Sequence, residues 1–203
     1  MKWYDAYDSF LKHNGFAKAF PTVDDLTRAM GNVTFYYQGR VIENIRISNT
    51  VDAYAVNGWE SMKLENHSGI VDNYRYPKGD VEVMARYNQP LFLAVKMNRK
   101  VLNVGDTTIV DTYIVNEKNL KGNYSLQLIA KDAEGTVLAT HVSSVHVKGG
   151  NVYGQCLQIG WNFVPRATGY VCIEAKLVKR QKNFCNWRRF FVCCKFEYER
   201  NYS

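Results

Sequence analysis

The chain has 203 residues, of which 46% are hydrophobic and 22% are charged. These values are typical of a globular protein and exclude a disordered chain, a collagen and a disulfide-dense miniprotein. The apolar runs are far shorter than the ~18 residues that indicate a membrane-spanning helix, so we expect no membrane partner. Because the N-terminal residues contain no apolar stretch of a secretory signal, we expect no signal peptide and, by default, a cytoplasmic location.

The formal net charge of +7 is concentrated at one end of the chain. Residues 179–203 contain seven of the 26 Lys and Arg residues, two of the 19 Asp and Glu residues, and three of the five cysteines. A basic, aromatic segment can bind nucleic acid or a membrane surface. Since the excess charge is confined to this segment, we rank that function last and predict no nucleic-acid partner. The change in composition instead predicts a boundary, with 179–203 as an aberrant tail.

The cysteines and histidines lack the spacing of a metal site. Cys185, Cys193 and Cys194 do not form the paired C-x-x-C pattern of structural zinc, and the four histidines are scattered. We therefore predict neither a metal nor a cofactor.

The first half of the chain predicts helices around one buried strand. Apolar residues at helical spacing and local capping signals predict four helices: one over 3–11, a short one opened by Pro21-Thr22, one over 33–47, and a short one from Asp80 to Tyr87. Between the last two, Asp52–Trp59 is short and apolar and contains Asn57-Gly58 near its end, which is typical of a buried strand.

From Leu91 onward, apolar and polar residues alternate with the period of a β-strand. Gly- and Asn-containing turns separate the candidate strands, which cover 91–95, 107–116, 124–131, 137–147, 154–162 and 169–178. Short strands at this spacing are typical of an immunoglobulin-like β-sandwich. The fold class expected for the whole chain is therefore α+β, with an antiparallel sandwich in its second half.

Two long blocks of the chain carry a family resemblance. Val41–Asp80 includes ENHSGIVDN followed by Arg75 and by Pro77-Lys78, and Tyr87–Gly122 includes QPL, AVK and VNEK. In this order the blocks resemble glycoside hydrolase family 2, and they are similar to its β-galactosidase and β-glucuronidase-like members. The resemblance covers roughly residues 4–178.

The resemblance implies two domains and a candidate site. Residues 1–88 would be the C-terminal remnant of a (β/α)8 catalytic barrel (a TIM barrel), and residues 89–178 the β-sandwich that follows it. The segment Asp52–Trp59 would be the last barrel strand, and active sites of such barrels lie at the C-terminal ends of the strands. The expected substrate-binding residues are therefore Asn57, Trp59, Glu60 and His67.

Each of these side chains has a structural alternative. Trp59 can be a platform for a sugar ring or a large buried barrel residue. Glu60 can bind a hydroxyl or hold its loop. His67 can reach a substrate hydroxyl or form hydrogen bonds within its own loop.

The catalytic residues of such an enzyme cannot be identified in this chain. Retaining β-glycosidases use two carboxylates, one as acid/base and one as nucleophile. The carboxylates near the expected site are Glu43, Glu60, Glu65 and Asp72, and none has a recognisable partner.

Whether the chain is an enzyme stays open. We expect an inactive fragment whose partners would be carbohydrate, bound weakly if at all, and the missing barrel portion of the parent enzyme. The parent family is often periplasmic or secreted. The alternative is a carbohydrate-binding or interaction β-sandwich.

The resemblance stops near Val178. Synonymous codons can be chosen for the tail so that a shift of one base gives Asn-Gly-Lys-Lys-Thr-Phe-Ala-Thr-Gly-Glu-Asp, which is an ordinary turn and strand of this family. We therefore expect residues 179–203 to be out of frame and the sandwich to lack its last strand. We also expect the helices of residues 1–50 to expose apolar faces.

Overall fold

The computed structural model describes residues 2–60, 69–179 and 182–194. It has an α+β composition and divides into two compact units. The first unit contains Met1–Ile45 and Val51–Gln89, and the second contains Arg46–Thr50 and Pro90–Ser203. Within the described ranges, no helix is both long enough and apolar enough to span a bilayer.

The described part of the first unit is helical, with α1 over Lys2–His13, α2 over Val23–Ser48 and α3 over Glu82–Tyr87. The predicted second and third helices are one continuous helix, α2. A glycine in mid-helix costs only about 1 kcal/mol, so Gly31 does not end it. Gly31 is needed there because a Cβ would lie 1.8 Å from the Lys78 carbonyl oxygen.

Side-chain caps begin two of these helices as the sequence predicts. The Thr22 hydroxyl oxygen accepts a hydrogen bond from the Asp25 N–H at 3.1 Å, and the Asp25 carboxylate accepts one from the Thr22 N–H at 3.1 Å. This reciprocal pair satisfies backbone donors that the helix itself cannot. At α3, the Asp80 carboxylate accepts the Glu82 N–H at 3.0 Å.

Helix α2 has a buried apolar face and an exposed one. Phe35 and Ile42 are buried. A second row at helical spacing is more than half exposed and consists of Met30, Val33, Tyr37 and Val41. The expectation that the helices of residues 1–50 expose apolar faces is therefore confirmed.

The segment Asp52–Trp59 is not a strand, so that prediction is wrong for this chain. It is exposed coil from Val51 to Trp59, tethered by a 2.6 Å hydrogen bond from the Tyr54 hydroxyl to the Asn88 side chain. Parallel strands occur almost only in sheets whose neighbouring strands satisfy the backbone. Within the first unit, the described residues supply no such neighbours, and the segment therefore stays an exposed coil.

The second unit contains eight strands within its described residues. They are β1 (Leu91–Met97), β2 (Val101–Asn103), β3 (Thr108–Asn116), β4 (Gly122–Lys131), β5 (Val137–Val147), β6 (Gly154–Phe163), β7 (Gly169–Lys179) and β8 (Lys182–Cys194). They form a three-stranded sheet, β1-β3-β6, and a five-stranded sheet, β2-β8-β7-β4-β5. The six strands predicted from residue 91 onward are confirmed. Strand β2 was not predicted, because three residues are too few to show an alternation of apolar and polar side chains.

One hydrophobic core joins the two sheets. Along β4, Tyr124, Leu126, Leu128 and Ala130 are buried and alternate with partly exposed residues. Because side chains alternate between the faces of a strand, this pattern directs one face of the sheet inward. The opposite sheet contributes Phe92, Leu93 and Ile114, all fully buried.

The expectation that the sandwich lacks its last strand is wrong. Strand β8 pairs antiparallel with β7 from Gly169↔Cys193 to Lys179↔Lys182, and parallel with β2. The Cys185 thiol donates to the Leu91 carbonyl oxygen at 3.6 Å. Buried backbone groups of a strand require partners. The tail that follows β7 is rich in aromatic residues, which favour strands, and its residues 182–194 supply those partners.

Residues 46–50, at the end of α2, belong to the second unit. The Arg46 guanidinium lies 5.0 Å from the Phe92 ring centre and 2.5 Å from the Glu117 carboxylate. The Asn49 side-chain oxygen accepts the N–H groups of Tyr153 at 2.7 Å and Gly154 at 3.1 Å. Gly154 allows this approach, because a Cβ there would lie 2.5 Å from the Arg46 carbonyl oxygen.

Replacing Ile173 by Ala is expected to destabilise the second unit by ~2–5 kcal/mol, since Ile173 is fully buried in β7 and its truncation leaves a cavity. Urea unfolding followed by tryptophan fluorescence measures the change. Ile159→Ala is the matched control, because Ile159 in β6 is 70% exposed and should change stability by less than ~0.5 kcal/mol. Equal losses for both variants would contradict the described core.

Burial raises the pKa of the Cys185 thiol to about 12. The neutral thiol is therefore favoured by folding, and this contribution to stability is present below pH ~9 and is lost as the pH rises toward 12. At pH 8 we expect iodoacetamide to alkylate Cys185 at least a hundredfold more slowly in the folded chain than in urea, because the thiolate is the nucleophile. Peptide mapping by mass spectrometry measures both rates. The exposed Cys156 is the internal control and should react in the folded chain.

Candidate functional site

Three of the four sequence-predicted site residues lie on the surface of the first unit. Asn57, Trp59 and Glu60 are exposed in the coil that follows α2, and His67 lies outside the described residues. Trp59 is 64% exposed, so the alternative of a buried barrel residue is wrong for this chain. The indole is therefore available to a ligand.

Backbone hydrogen bonds join this coil to a turn later in the chain. The Trp59 carbonyl oxygen accepts the N–H groups of Ile70 at 2.9 Å and Val71 at 3.1 Å. Glu60 forms a parallel bridge with Val71, and Val71 forms an antiparallel bridge with Pro77. Val71 is itself buried, so Trp59 and Glu60 are held against a packed residue.

Asp72 organises the turn that faces this coil. Its carboxylate accepts the N–H groups of Tyr74 at 2.8 Å and Tyr76 at 2.9 Å, while its own N–H donates to the Tyr76 carbonyl oxygen. Side-chain acceptance of backbone donors two and four residues later is typical of Asp in a tight turn. Arg75 takes the left-handed conformation, with φ of 69°, at the tip.

The turn places a cation and two further aromatic rings near the coil. The Arg75 guanidinium lies 3.8 Å from the Glu60 carboxylate, and the two side chains are 80% and 42% exposed. Such a pair contributes at most ~1 kcal/mol in water, so its charges can be redirected to a ligand at little cost. Tyr74 and Tyr76 are 72% and 69% exposed.

The exposed side chains of this surface are aromatic and charged. The exposed aromatic side chains offer apolar faces, and Glu60 and Arg75 offer a hydrogen-bond acceptor and donors for hydroxyl groups. The two other described carboxylates considered from the sequence have structural roles. Glu43 is fully buried in α2 and accepts from Arg40 at 2.7 Å, and Asp72 holds its turn. Glu65 lies outside the described residues.

Sequence reasoning missed the contribution of the turn. Asp72-Asn73 followed by Tyr74 and Arg75 carries a local turn signal, but only the backbone pairing of Trp59 with Ile70 and Val71 brings this turn to the coil. Across residues 2–60, 69–179 and 182–194, no three His, Cys, Asp or Glu side chains group in a way that could hold a metal ion.

No family model matches the chain, and no curated protein matches it. Among solved structures, a cycloisomaltooligosaccharide glucanotransferase from Paenibacillus sp. is 13% identical, with a match covering 53% of this chain and 14% of that chain at a TM-score of 0.40. A glycosyl hydrolase family 2 member from Bacteroides cellulosilyticus is 14% identical over 51% of this chain and 15% of its own, with a TM-score of 0.37. A β-glucuronidase from glycoside hydrolase family 2 is 14% identical over 50% of this chain and 11% of its own, with a TM-score of 0.40. The chain thus matches less than a sixth of the length of each, and similarity at this level does not assign a function.

Replacing Asp72 by Ala is expected to loosen the 72–76 turn, because the Tyr74 and Tyr76 N–H groups lose their acceptor. Amide hydrogen exchange at these two residues should accelerate about tenfold, as expected from losing a bond of ~1–1.5 kcal/mol. Asp72→Asn is the matched control, since an amide oxygen can accept the same bonds. Acceleration by Asn equal to that by Ala would show that the carboxylate charge, and not its geometry, holds the turn.

Proposed function

We propose that this chain is part of a family 2 glycoside hydrolase of the β-galactosidase or β-glucuronidase type, inactive by itself and able to contact sugar through the surface around Trp59. The observation that carries the proposal is that Trp59, exposed and paired with the 70–78 turn, lies in the same block of sequence that resembles this family. The proposed extents are 1–88 for the barrel end and 89–178 for the sandwich.

The strand order supports an immunoglobulin-like second domain. After the β4–β5 hairpin, the chain crosses to the other sheet, where β6 pairs with β3, and it then returns so that β7 pairs with β4. Crossovers of this kind between two antiparallel sheets are typical of immunoglobulin-like sandwiches.

The conformation of Val51–Trp59 is compatible with a barrel end that lacks its neighbours. The segment follows a long helix and precedes α3, as a barrel strand would. In a complete parent enzyme, adjacent parallel strands would pair with its backbone and Asp52–Trp59 could become a strand. The exposed row on α2 and the exposed Trp3, Tyr7 and Phe10 of α1 would then be covered by the missing barrel portion.

The carboxylates near the candidate site support the proposed inactivity of the chain. Retaining hydrolysis needs two carboxyl groups about 5 Å apart, flanking the scissile bond. Glu43 is buried against Arg40, Asp72 holds the turn, and Glu60 faces Arg75. These three carboxylates therefore do not form a pair of acid/base and nucleophile. Glu60 can still contact the hydroxyl groups of a sugar.

One observation favours the alternative, a carbohydrate-binding sandwich. A groove of about 470 Å³ in the second unit is lined by residues of the five-stranded sheet, both polar, such as Asn123, Ser144 and Lys179, and apolar, namely Val142 and Val178. Hydroxyl, amide and ammonium groups can hydrogen-bond a sugar. An experiment on sugar binding must therefore distinguish this groove from the surface around Trp59.

Replacing Trp59 by Ala is expected to weaken binding of methyl β-D-galactoside or methyl β-D-glucuronide about tenfold, since stacking on one aromatic ring contributes ~1.4 kcal/mol. NMR titration of the full chain measures the affinity. Trp3→Ala is the matched control, because Trp3 is exposed on α1 and should not alter binding.

The outcomes distinguish the two functions. Loss of binding only when Ser144 is replaced by Trp, which would fill the groove, would favour the sandwich module. Release of p-nitrophenol from p-nitrophenyl β-D-galactoside or β-D-glucuronide by the chain would contradict its proposed inactivity.

We also propose that residues 179–203 are read out of frame, although 182–194 form β8. A strand can form from either reading, so the structure and this origin are compatible. The nucleotide sequence tests it directly: absence of an Ala-Thr-Gly-Glu-Asp continuation in the shifted frame would refute the proposal.

A further inference from the structure

The groove of the second unit crosses three strands of the five-stranded sheet. Ser125 of β4 is directly opposite Ser144 of β5 and Val178 of β7, and all three residues line the groove. Because Ser125 alternates with the buried Tyr124 and Leu126, this row is on the face of the sheet that points away from the core. The volume of about 470 Å³ lies within the range of small-molecule sites, ~300–1,000 Å³.

The polar side chains of this groove keep hydrogen-bonding groups for a ligand. Among the described residues, the hydroxyls of Ser125 and Ser144 have no partner. The Asn123 side-chain oxygen accepts a hydrogen bond from His146 Nδ1 at 2.7 Å, so the N–H groups of its amide remain as donors. Val142 contributes an apolar contact beside them. Hydroxyl and amide groups next to an apolar surface match a sugar ring, which has hydroxyl groups and apolar C–H faces.

An aromatic ring holds a lysine at this groove. The Lys179 ammonium lies 5.0 Å from the centre of the Tyr124 ring. The Tyr124 hydroxyl donates to the Lys121 carbonyl oxygen at 3.2 Å, and the ring contacts Phe184 edge-on at 5.4 Å, so its orientation is fixed. Among the described residues, no Asp or Glu forms an ion pair with Lys179. Its ammonium can therefore donate hydrogen bonds to an anion.

Two further lysines lie at the same end of the β4–β5 pair. Gly122 is opposite Val147 in the register, so the adjacent Lys121 and Lys148 follow the end of this ladder, next to Asn123. Neither lysine forms an ion pair with a described carboxylate. Clustered charges of one sign raise the local concentration of ligands of the opposite sign. The electrostatic potential near the groove therefore favours an anionic ligand over a neutral one.

We propose that this groove binds an acidic oligosaccharide, built from uronic acids, with a carboxylate at Lys179 and sugar hydroxyls at Ser125 and Ser144. The site is separate from the surface around Trp59. The inference rests on the alternative function proposed above, a carbohydrate-binding sandwich, and it names the class of sugar that the sandwich takes.

The lining of the groove favours an acidic sugar over a nucleic acid. Single-stranded nucleic acids bind basic grooves in which bases stack on aromatic side chains. Of the described residues that line this groove, only Tyr124 is aromatic. Its side chain is buried, at 6% exposure, and its ring already contacts Lys179 and Phe184. The groove thus offers no ring for a base, whereas its free hydroxyl and amide groups suit a sugar.

NMR titration of the full chain with digalacturonate tests the proposal. The reference ligand is galabiose, which has the same linkage and lacks the carboxylates. We expect both sugars to shift the amide signals of Ser125 and Ser144, and digalacturonate to bind about fivefold more tightly, since an exposed ion pair contributes up to ~1 kcal/mol. Lys179→Gln should abolish this preference. The matched control is Lys18→Gln, which removes the same charge from an exposed lysine of the first unit and should keep the preference.

The salt dependence of binding tests the charge contact without a substitution, and it decides the case if Lys179→Gln fails to fold. Raising the NaCl concentration from about 50 to about 500 mM should weaken the binding of digalacturonate and leave galabiose unchanged, because salt screens exposed charges. Trp59→Ala should leave the digalacturonate shifts at Ser125 and Ser144 unchanged, which separates the groove from the surface around Trp59.

Each contrary outcome has a distinct meaning. Equal affinity for the two sugars, or an unchanged preference in Lys179→Gln, would overturn the inference and leave the sandwich a sugar-binding module. Absence of shifts at Ser125 and Ser144 with either sugar would overturn both the inference and the alternative function. Displacement of digalacturonate by a lower concentration of a single-stranded oligonucleotide would assign the groove to nucleic acid and also overturn the inference.

Discussion

The second unit depends on a buried cation at the end of a helix. The Arg46 side chain is 4% exposed, and burying its charge is costly unless it is paired. Glu117 supplies the opposite charge and Phe92 the face of an aromatic ring. Asn49, three residues later, accepts two N–H groups at the start of β6. These contacts join residues 46–50 to both β1 and β6, the two edges of the three-stranded sheet. The end of α2 is therefore a structural part of the sandwich.

A different constraint shapes the surface around Trp59. Here the backbone of Trp59 and Glu60 is paired with Ile70 and Val71, and one carboxylate, that of Asp72, holds the turn that follows. The side chains that take no part in these hydrogen bonds are exposed aromatic rings and an exposed ion pair. The Asp72 carboxylate is therefore committed to the turn, whereas the aromatic rings and the Glu60–Arg75 pair are exposed.

The edges of the five-stranded sheet follow from the pairing of β7. Once β8 occupies one side of β7 and β4 occupies the other, the sheet is completed by β2 beyond β8 and β5 beyond β4. The short β2 leaves few free backbone groups, whereas β5 is 11 residues long and uncharged. The sequence predicted a sandwich without its last strand, whereas β8 pairs with β7 at that position.

Local signals in the sequence determined much of the secondary structure. The Thr22 and Asp80 caps, the start of α1 and the six longer predicted strands depend on residues close to each other in the chain, and all are present. Trp59 and Glu60 were also identified as residues of interest from the sequence. Only the tertiary structure decided the continuity of α2 through Gly31, the coil at Asp52–Trp59, the turn of Asp72 beside Trp59, and the pairing of β8. Each of these depends on whether a distant segment supplies backbone partners or packing space, and neither the period of apolar residues nor a local cap contains that information.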